Sequence, residues 1–136
     1  MPGPRFLLDT NICIYIAKQH PPEVLSRFRR LKPGELCMSA ITFGELLYGA
    51  ARSSRRDEAI KTLHQLTTLI PVLALAAEVG EHYGAIRAEL EESGRPIGNN
   101  DLWIAAHARE QELTLVTNNE REFKRVRGLK IQNWVK

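Results

Sequence analysis

The stretch that decides the fold is RFLLDTNICIYI, residues 5–16. Residues 5–8 form a short apolar run without polar alternation, as in a strand buried on both faces. Asp9-Thr10-Asn11 follows at once, and Ile12, Tyr15 and Ile16 then recur at helical spacing. A buried strand that runs through an acid straight into a helix is the opening unit of a parallel α/β sheet. In such sheets the ligand crevice lies beyond the carboxyl ends of the strands.

The rest of the chain repeats this alternation. Pro21-Pro22 stops the first helix, and Val24, Phe28 and Leu31 predict a second that ends before Pro33-Gly34. Leu36 to Met38 is a second strand. A helix opened by Ser39 or Thr42 carries the apolar stripe Phe43, Leu46, Leu47 and Ala50, and another runs from about Ser54 through Leu66. Leu69 to Leu73 is a strand that Pro71 assigns to an edge or a bulge. The longest helix carries Leu75, Val79, Tyr83, Ile86 and Leu90 and closes near Ser93-Gly94. Gly98-Asn99 precedes a helix through Ala106. Leu113 to Val116 is a strand, residues 118–123 a short helix, and residues 130–134 a last strand. Strands separated by helices, with no hairpin turn between them, predict a three-layer α/β/α domain over residues 1–136, with a parallel sheet of four to five strands.

Composition narrows the function classes. The chain has 136 residues, 43% hydrophobic and 26% charged, which is ordinary globular usage. No apolar run approaches the roughly 20 residues needed to cross a bilayer, and no secretory leader is evident, so a cytoplasmic protein is expected. Cys13 and Cys37 lack zinc-site spacing and are expected to be buried thiols. The net charge is only +3, but basic residues cluster at Arg27 to Lys32, at Arg52, Arg55 and Arg56, and at Lys124 to Lys130. Such clusters can be solvated faces, or the rim that holds a polyanion.

Three acids stand at strand or helix ends, Asp9, Glu45 and Asp101, and each also has a local explanation. Asp9 could cap the first helix, although Thr10 and Asn11 can do that and leave Asp9 to face the crevice. Thr42 and Glu45 match a capping box. Against this, Glu45 shares a face with Ile41 and Tyr48 opposite Phe43 and Leu47, so its helix is expected to be enclosed and its carboxylate to need a partner. Asp101 suits the dipole of a helix start, and the nearly uncharged helix behind it would hold it rigidly. A fourth context, Thr117-Asn118-Asn119-Glu120-Arg121-Glu122, follows the strand at 113–116, with Asn119 and Glu122 forming another possible capping box. Spacing alone does not say which of Asn118, Asn119, Glu120 and Glu122 joins a site. Carboxylates gathered from distant segments most often hold a hard divalent cation, which makes a metal-dependent hydrolase the leading expectation. The four histidines do not pair at helical spacing, and there is no nucleophile elbow and no P-loop.

Taken together, LDTNICIYI, SAITFGELLYGA, YGAIRAELEESGRPIGNNDLWIAAHA, LTLVTNNEREF and GLKIQNW resemble the PIN-domain ribonucleases, and among them the VapC-type toxins of bacterial toxin–antitoxin pairs. The likeness is to the branch that cuts initiator tRNA in the anticodon stem-loop. It implies an α/β/α PIN fold, dependence on Mg²⁺ or Mn²⁺, and phosphodiester cleavage by metal-activated water. Carried over by motif, Asp9 and Asp101 would ligate the metal and Glu45 would complete the acidic triad. Many PIN domains have a further acid where this chain has Asn119, and either Glu122 would compensate or a water would fill the coordination shell. Thr10, Asn11, Asn99, Asn100 and Thr117 would support the metal or touch phosphate, as would Asn119. The resemblance also implies a VapB-type antitoxin and a homodimer. The rival expectation is a non-catalytic PIN-like module that binds RNA or antitoxin.

Overall fold

The computed structural model describes residues 3–135. Along the chain run β1 (Phe6–Leu8), α1 (Thr10–Lys18), α2 (Pro22–Arg29), β2 (Leu36–Ser39), α3 (Ala40–Ala51) and α4 (Arg56–Leu69). They are followed by β3 (Val72–Leu73), α5 (Ala77–Glu92), α6 (Asn99–Glu110), β4 (Thr114–Val116), α7 (Glu120–Phe123) and β5 (Ile131–Gln132). The strands form one five-stranded sheet in the order β3-β2-β1-β4-β5, and every pairing is parallel.

The pleat of the central strand explains the three layers. Leu7 faces one side, where Cys37 and Leu115 join it against α5 and α6 through Val79, Ile86, Leu90, Leu102 and Ala105. Phe6 and Leu8 face the other side, with Leu36, Met38 and Val116, and meet Ile12 and Ile16 of α1 and Leu63 and Leu66 of α4. A sheet buried on both faces needs apolar residues at every position of its middle strands, and β1 has them.

Some boundaries differ from the expected ones. Pro22 opens α2 instead of merely stopping α1, because the first helical position needs no N–H donor. That helix ends at Arg29, two residues short of Leu31. The third strand is only Val72–Leu73, and it lies on the sheet edge. Pro71 just before it accepts from the Met38 amide at 2.9 Å, and lacking an N–H of its own it leaves no donor unpaired. Leu75 lies before α5, and Gly94 (φ +70°) turns the chain just after it. Among the described residues no helix is long and apolar enough to cross a membrane.

From β1 the chain moves to β2 on one side, while β4 is added on the other. The strand order therefore reverses at the β1/β4 junction, where an open parallel sheet leaves a crevice. Asp9 and Thr117 are the first residues beyond those two strands.

Candidate active site

Asp9 is buried at 6% exposure and does two things at once. It is the N-cap of α1, with Oδ1 accepting from the Ile12 amide at 3.0 Å, while Oδ2 accepts from the buried Thr117 hydroxyl. The expectation that Thr10 or Asn11 would supply the cap is thus corrected. Thr10 is already the first helical residue, and a cap must precede the helix. Burial raises the Asp9 pKa and the charge of Glu45 adds to it, against the hydrogen bonds from Thr117 and the Ile12 and Asn11 amides.

Ser39 starts α3, accepting from the Ile41 amide at 3.1 Å, so Thr42 lies inside the helix and the Thr42–Glu45 capping box does not form. Glu45 reaches across the crevice instead. It accepts from the Thr10 hydroxyl at 2.6 Å and from Asn100 Nδ2 at 3.3 Å. Its helix is not enclosed on both sides, since Tyr48 is 63% exposed. Phe43, Leu46 and Leu47 pack against the core on one side of the sheet and Ile41 against the core on the other, and Glu45 sits half-buried between them.

Asp101 lies in the first turn of α6, anchored by the buried residues Leu102, Ile104, Ala105, Ala106 and Ala108. Its carboxyl comes within hydrogen-bonding reach of Glu122 on α7. Desolvation, then Glu122, then the charges of Glu45 and Asp9 push its pKa up to about 6. Of the two asparagines beside it, Asn100 faces Glu45, whereas Asn99 turns away. Asn99 Oδ1 accepts from the Tyr83 hydroxyl and the residue lines a separate cavity with Arg87 and Leu90. Successive helical residues diverge by about 100°, so only one of the pair can face inward.

The fourth segment holds the crevice together. The Thr117 Oγ that donates to Asp9 also accepts from the Asn119 amide at 2.9 Å. Asn118 joins Tyr15 (3.0 Å) and Asn11 (3.4 Å), tying this loop to α1. Asn119 makes no side-chain cap to α7, so the second capping box is also absent, and Glu122 turns to Asp101 instead.

Asp9, Thr10, Asn11, Glu45, Asp101 and Asn119 line one open cavity of about 180 Å³, floored by Ile104 and Phe123. Among the described residues none of its acids pairs with a cationic side chain. Like-charged carboxylates facing one space call for a counter-charge. No three His, Cys, Asp or Glu side chains among the described residues stand close enough to enclose a metal by themselves. That donor set still fits Mg²⁺, which keeps several waters and takes only one or two carboxylates.

The remaining candidates lie elsewhere. Cys13 and Cys37 are buried free thiols whose pKa values burial raises. Arg125 accompanies the loop before α6, donating to the Pro96 carbonyl at 3.0 Å, while Arg127 pairs with Glu89. Sequence reasoning missed the roles of Tyr15, Ile104 and Phe123 around the crevice. Their contacts span up to 103 residues of chain, and local spacing carries no trace of them.

Known proteins share this fold. The PIN domain family model matches residues 6–129. A tRNA(fMet)-specific endonuclease VapC from Shigella flexneri is 45% identical over 130 residues, covering 96% of this chain and 98% of the relative. Ribonuclease VapC2 of Haemophilus influenzae is 44% identical over 131 residues at the same coverage. The solved structure of VapBC-1 from nontypeable Haemophilus influenzae matches with a TM-score of 0.89 at 42% identity, over 96% of this chain and 98% of that one. DNA-bound VapBC from Salmonella typhimurium matches with a TM-score of 0.90 at 39% identity and the same coverage. With the acids of four separate segments gathered at the sheet's reversal point and these relatives aligned along almost its whole length, the chain belongs to the PIN-domain family and, within it, to the VapC ribonucleases.

Proposed function

We propose that this ribonuclease is the toxin of a type II toxin–antitoxin pair and that it cuts initiator tRNA within the anticodon stem-loop, with Mg²⁺ as its cation. The observation that carries this reading is the set of acids around one cavity without a cationic partner. The substrate follows from the Shigella flexneri relative, named for its action on tRNA(fMet). The antitoxin follows from the VapBC assemblies that share the fold, and a VapB-type partner is proposed on that basis, together with a homodimer as the family resemblance implies. The cytoplasm, where tRNA resides, is the proposed compartment.

Each residue has a task in this reading. Asp9 and Asp101, which both line the cavity, would hold the cation. When bound, the cation neutralises phosphate charge and activates water for attack on phosphorus. Glu45, steadied by Thr10 and Asn100, would orient the attacking water and take up its proton. Thr117 keeps Asp9 in one rotamer, and Asn119 and Asn11 offer amide donors to phosphate oxygens at the rim. Glu122 supports Asp101 and supplies the acid that Asn119 does not. A single-stranded loop is a suitable target, because its unstacked bases let the backbone reach a recessed site.

A non-catalytic RNA- or antitoxin-binding module would have no use for carboxylates left unneutralised beside one another. Mapping new 5′ ends in total RNA after brief expression tests the substrate. One dominant cut in the initiator tRNA anticodon stem-loop, absent with Asp9→Ala, is expected. Intact initiator tRNA beside cuts in other RNAs would overturn the assignment.

A further inference from the structure

The two helices that carry Glu45 and Asp101 are joined by a buried polar contact that the roles above do not use. His107 of α6 is fully buried, and its Nδ1 lies 2.8 Å from the hydroxyl of Ser39, itself fully buried at the start of α3. Ser39 Oγ already accepts from the Ile41 amide and keeps its one proton and a second lone pair, so its bond with Nδ1 runs in the direction that the imidazole tautomer sets. In its neutral form the imidazole carries one proton, on Nε2 where Ser39 donates and on Nδ1 where Ser39 accepts. Burial favours that form by lowering the pKa of His107. Nε2 makes no hydrogen bond of full geometry, although the Ala74 carbonyl, just after β3, bears on the ring.

The placement of this contact is what gives it a consequence. Ser39 stands six residues before Glu45, and His107 six residues after Asp101. Each is therefore about 9 Å along its helix from the acid. Around it α6 presents Ala105, Ala106 and Ala108, all fully buried. Small apolar contacts of that kind resist separation of two helices but do little to fix their sliding or rotation. A buried hydrogen bond is directional and does fix them.

We propose that His107 is a positioning residue: its bond with Ser39 fixes α6 against the first turn of α3 and so sets the separation at which Asp101 and Glu45 share a cation. The proposal rests on the nuclease reading above. A displacement of about 1 Å at a reacting centre can lower turnover by roughly a hundredfold.

The test compares His107→Leu, His107→Asn, Ser39→Ala and the double variant His107→Leu/Ser39→Ala. Read-outs are kcat and KM on tRNA, Mn²⁺ affinity by calorimetry, and thermal unfolding. His107→Leu is expected to lower kcat about tenfold or more and to weaken Mn²⁺ binding by a similar factor, with KM for RNA unchanged. His107→Asn, whose Oδ1 can take the place of Nδ1, should recover most of both. Ser39→Ala should reproduce the loss, and the double variant should be no worse than His107→Leu, since the two residues act as one contact. A lower unfolding temperature with wild-type kcat and Mn²⁺ affinity well below that temperature would show a purely structural role and overturn the proposal. So would additive losses in the double variant. If His107→Leu does not fold, Ser39→Ala and His107→Asn decide the matter by the same measures. If the wild-type protein cuts no RNA, the nuclease reading fails, and Mn²⁺ affinity alone still decides the role of His107.

Discussion

Asp101→Asn should abolish cleavage and yet make the metal-free protein more stable. Asp101 is half-buried, and Glu122, Glu45 and Asp9 all add to the burial that raises its pKa from 3.8 to about 6. A carboxyl whose folded pKa lies above its unfolded one destabilises the fold above about pH 6. That cost is relieved as pH falls from about 6 toward 4, where the folded state holds a proton that the unfolded chain does not. Linkage puts the full cost near ~3 kcal/mol. Solvent screening of a half-exposed group reduces it to on the order of 1 kcal/mol. The start of α6 favours the carboxylate by roughly 0.3–1 kcal/mol, and the raised pKa shows that this is outweighed. In chelator at pH 7.5, Asp101→Asn should therefore raise the unfolding temperature by about 3–5 °C for a domain of this size. At pH 4 most of the difference should vanish. Excess Mg²⁺ should raise the wild type and leave the variant nearly unmoved. Scanning calorimetry at the two pH values, with and without Mg²⁺, reads all of this. Destabilisation by the substitution, or a gain equal at both pH values, would refute the like-charge reasoning.

Thr117→Val removes the hydroxyl that satisfies buried Asp9, and should cost about 1–3 kcal/mol in urea unfolding while lowering cleavage. Leu115→Ala at a fully buried position of β4 should cost about 2–5 kcal/mol by the same assay, with KM unchanged where the protein is folded. Glu45→Gln should lower kcat by roughly 10²–10⁴-fold. Glu122→Gln should lower it by less and should bring the pKa of Asp101 down, visible by carboxyl NMR in chelator. Asn100→Ala, which frees Glu45, should reduce kcat more than Asn99→Ala in side-by-side single-turnover assays.

The fold was largely legible in the sequence because its cues are local. The runs read at residues 5–8, 36–38 and 113–116 became the three inner strands, and Pro71 marked the edge. Boundaries moved where one residue type serves two ends of a helix, as Pro22 does. The acids were legible as a set, but the local reasons were partly mistaken. Asp9 faces the crevice while also capping α1, because its two oxygens serve different partners. Glu45 is released from capping because α3 begins at Ser39 and not at Thr42.

What the sequence did not show is tertiary. Two adjacent asparagines are equivalent on paper, and only the placement of Tyr83 and Glu45 separates Asn99 from Asn100. Glu122 was one of several candidates after β4, and its approach to Asp101 joins segments 21 residues apart. His107 read as a lone helical histidine, since nothing near it in the chain points to Ser39, 68 residues earlier.

The central claim is that carboxylates from four segments make one cation-dependent cleavage site. The most direct measurement is cleavage of initiator tRNA by the purified protein, wild type and Asp101→Asn, with Mg²⁺ and with chelator. Cutting by the wild type with Mg²⁺ alone, and by the variant in neither condition, is the predicted result. Cutting that survives chelator, or that Asp101→Asn leaves unchanged, would contradict the account.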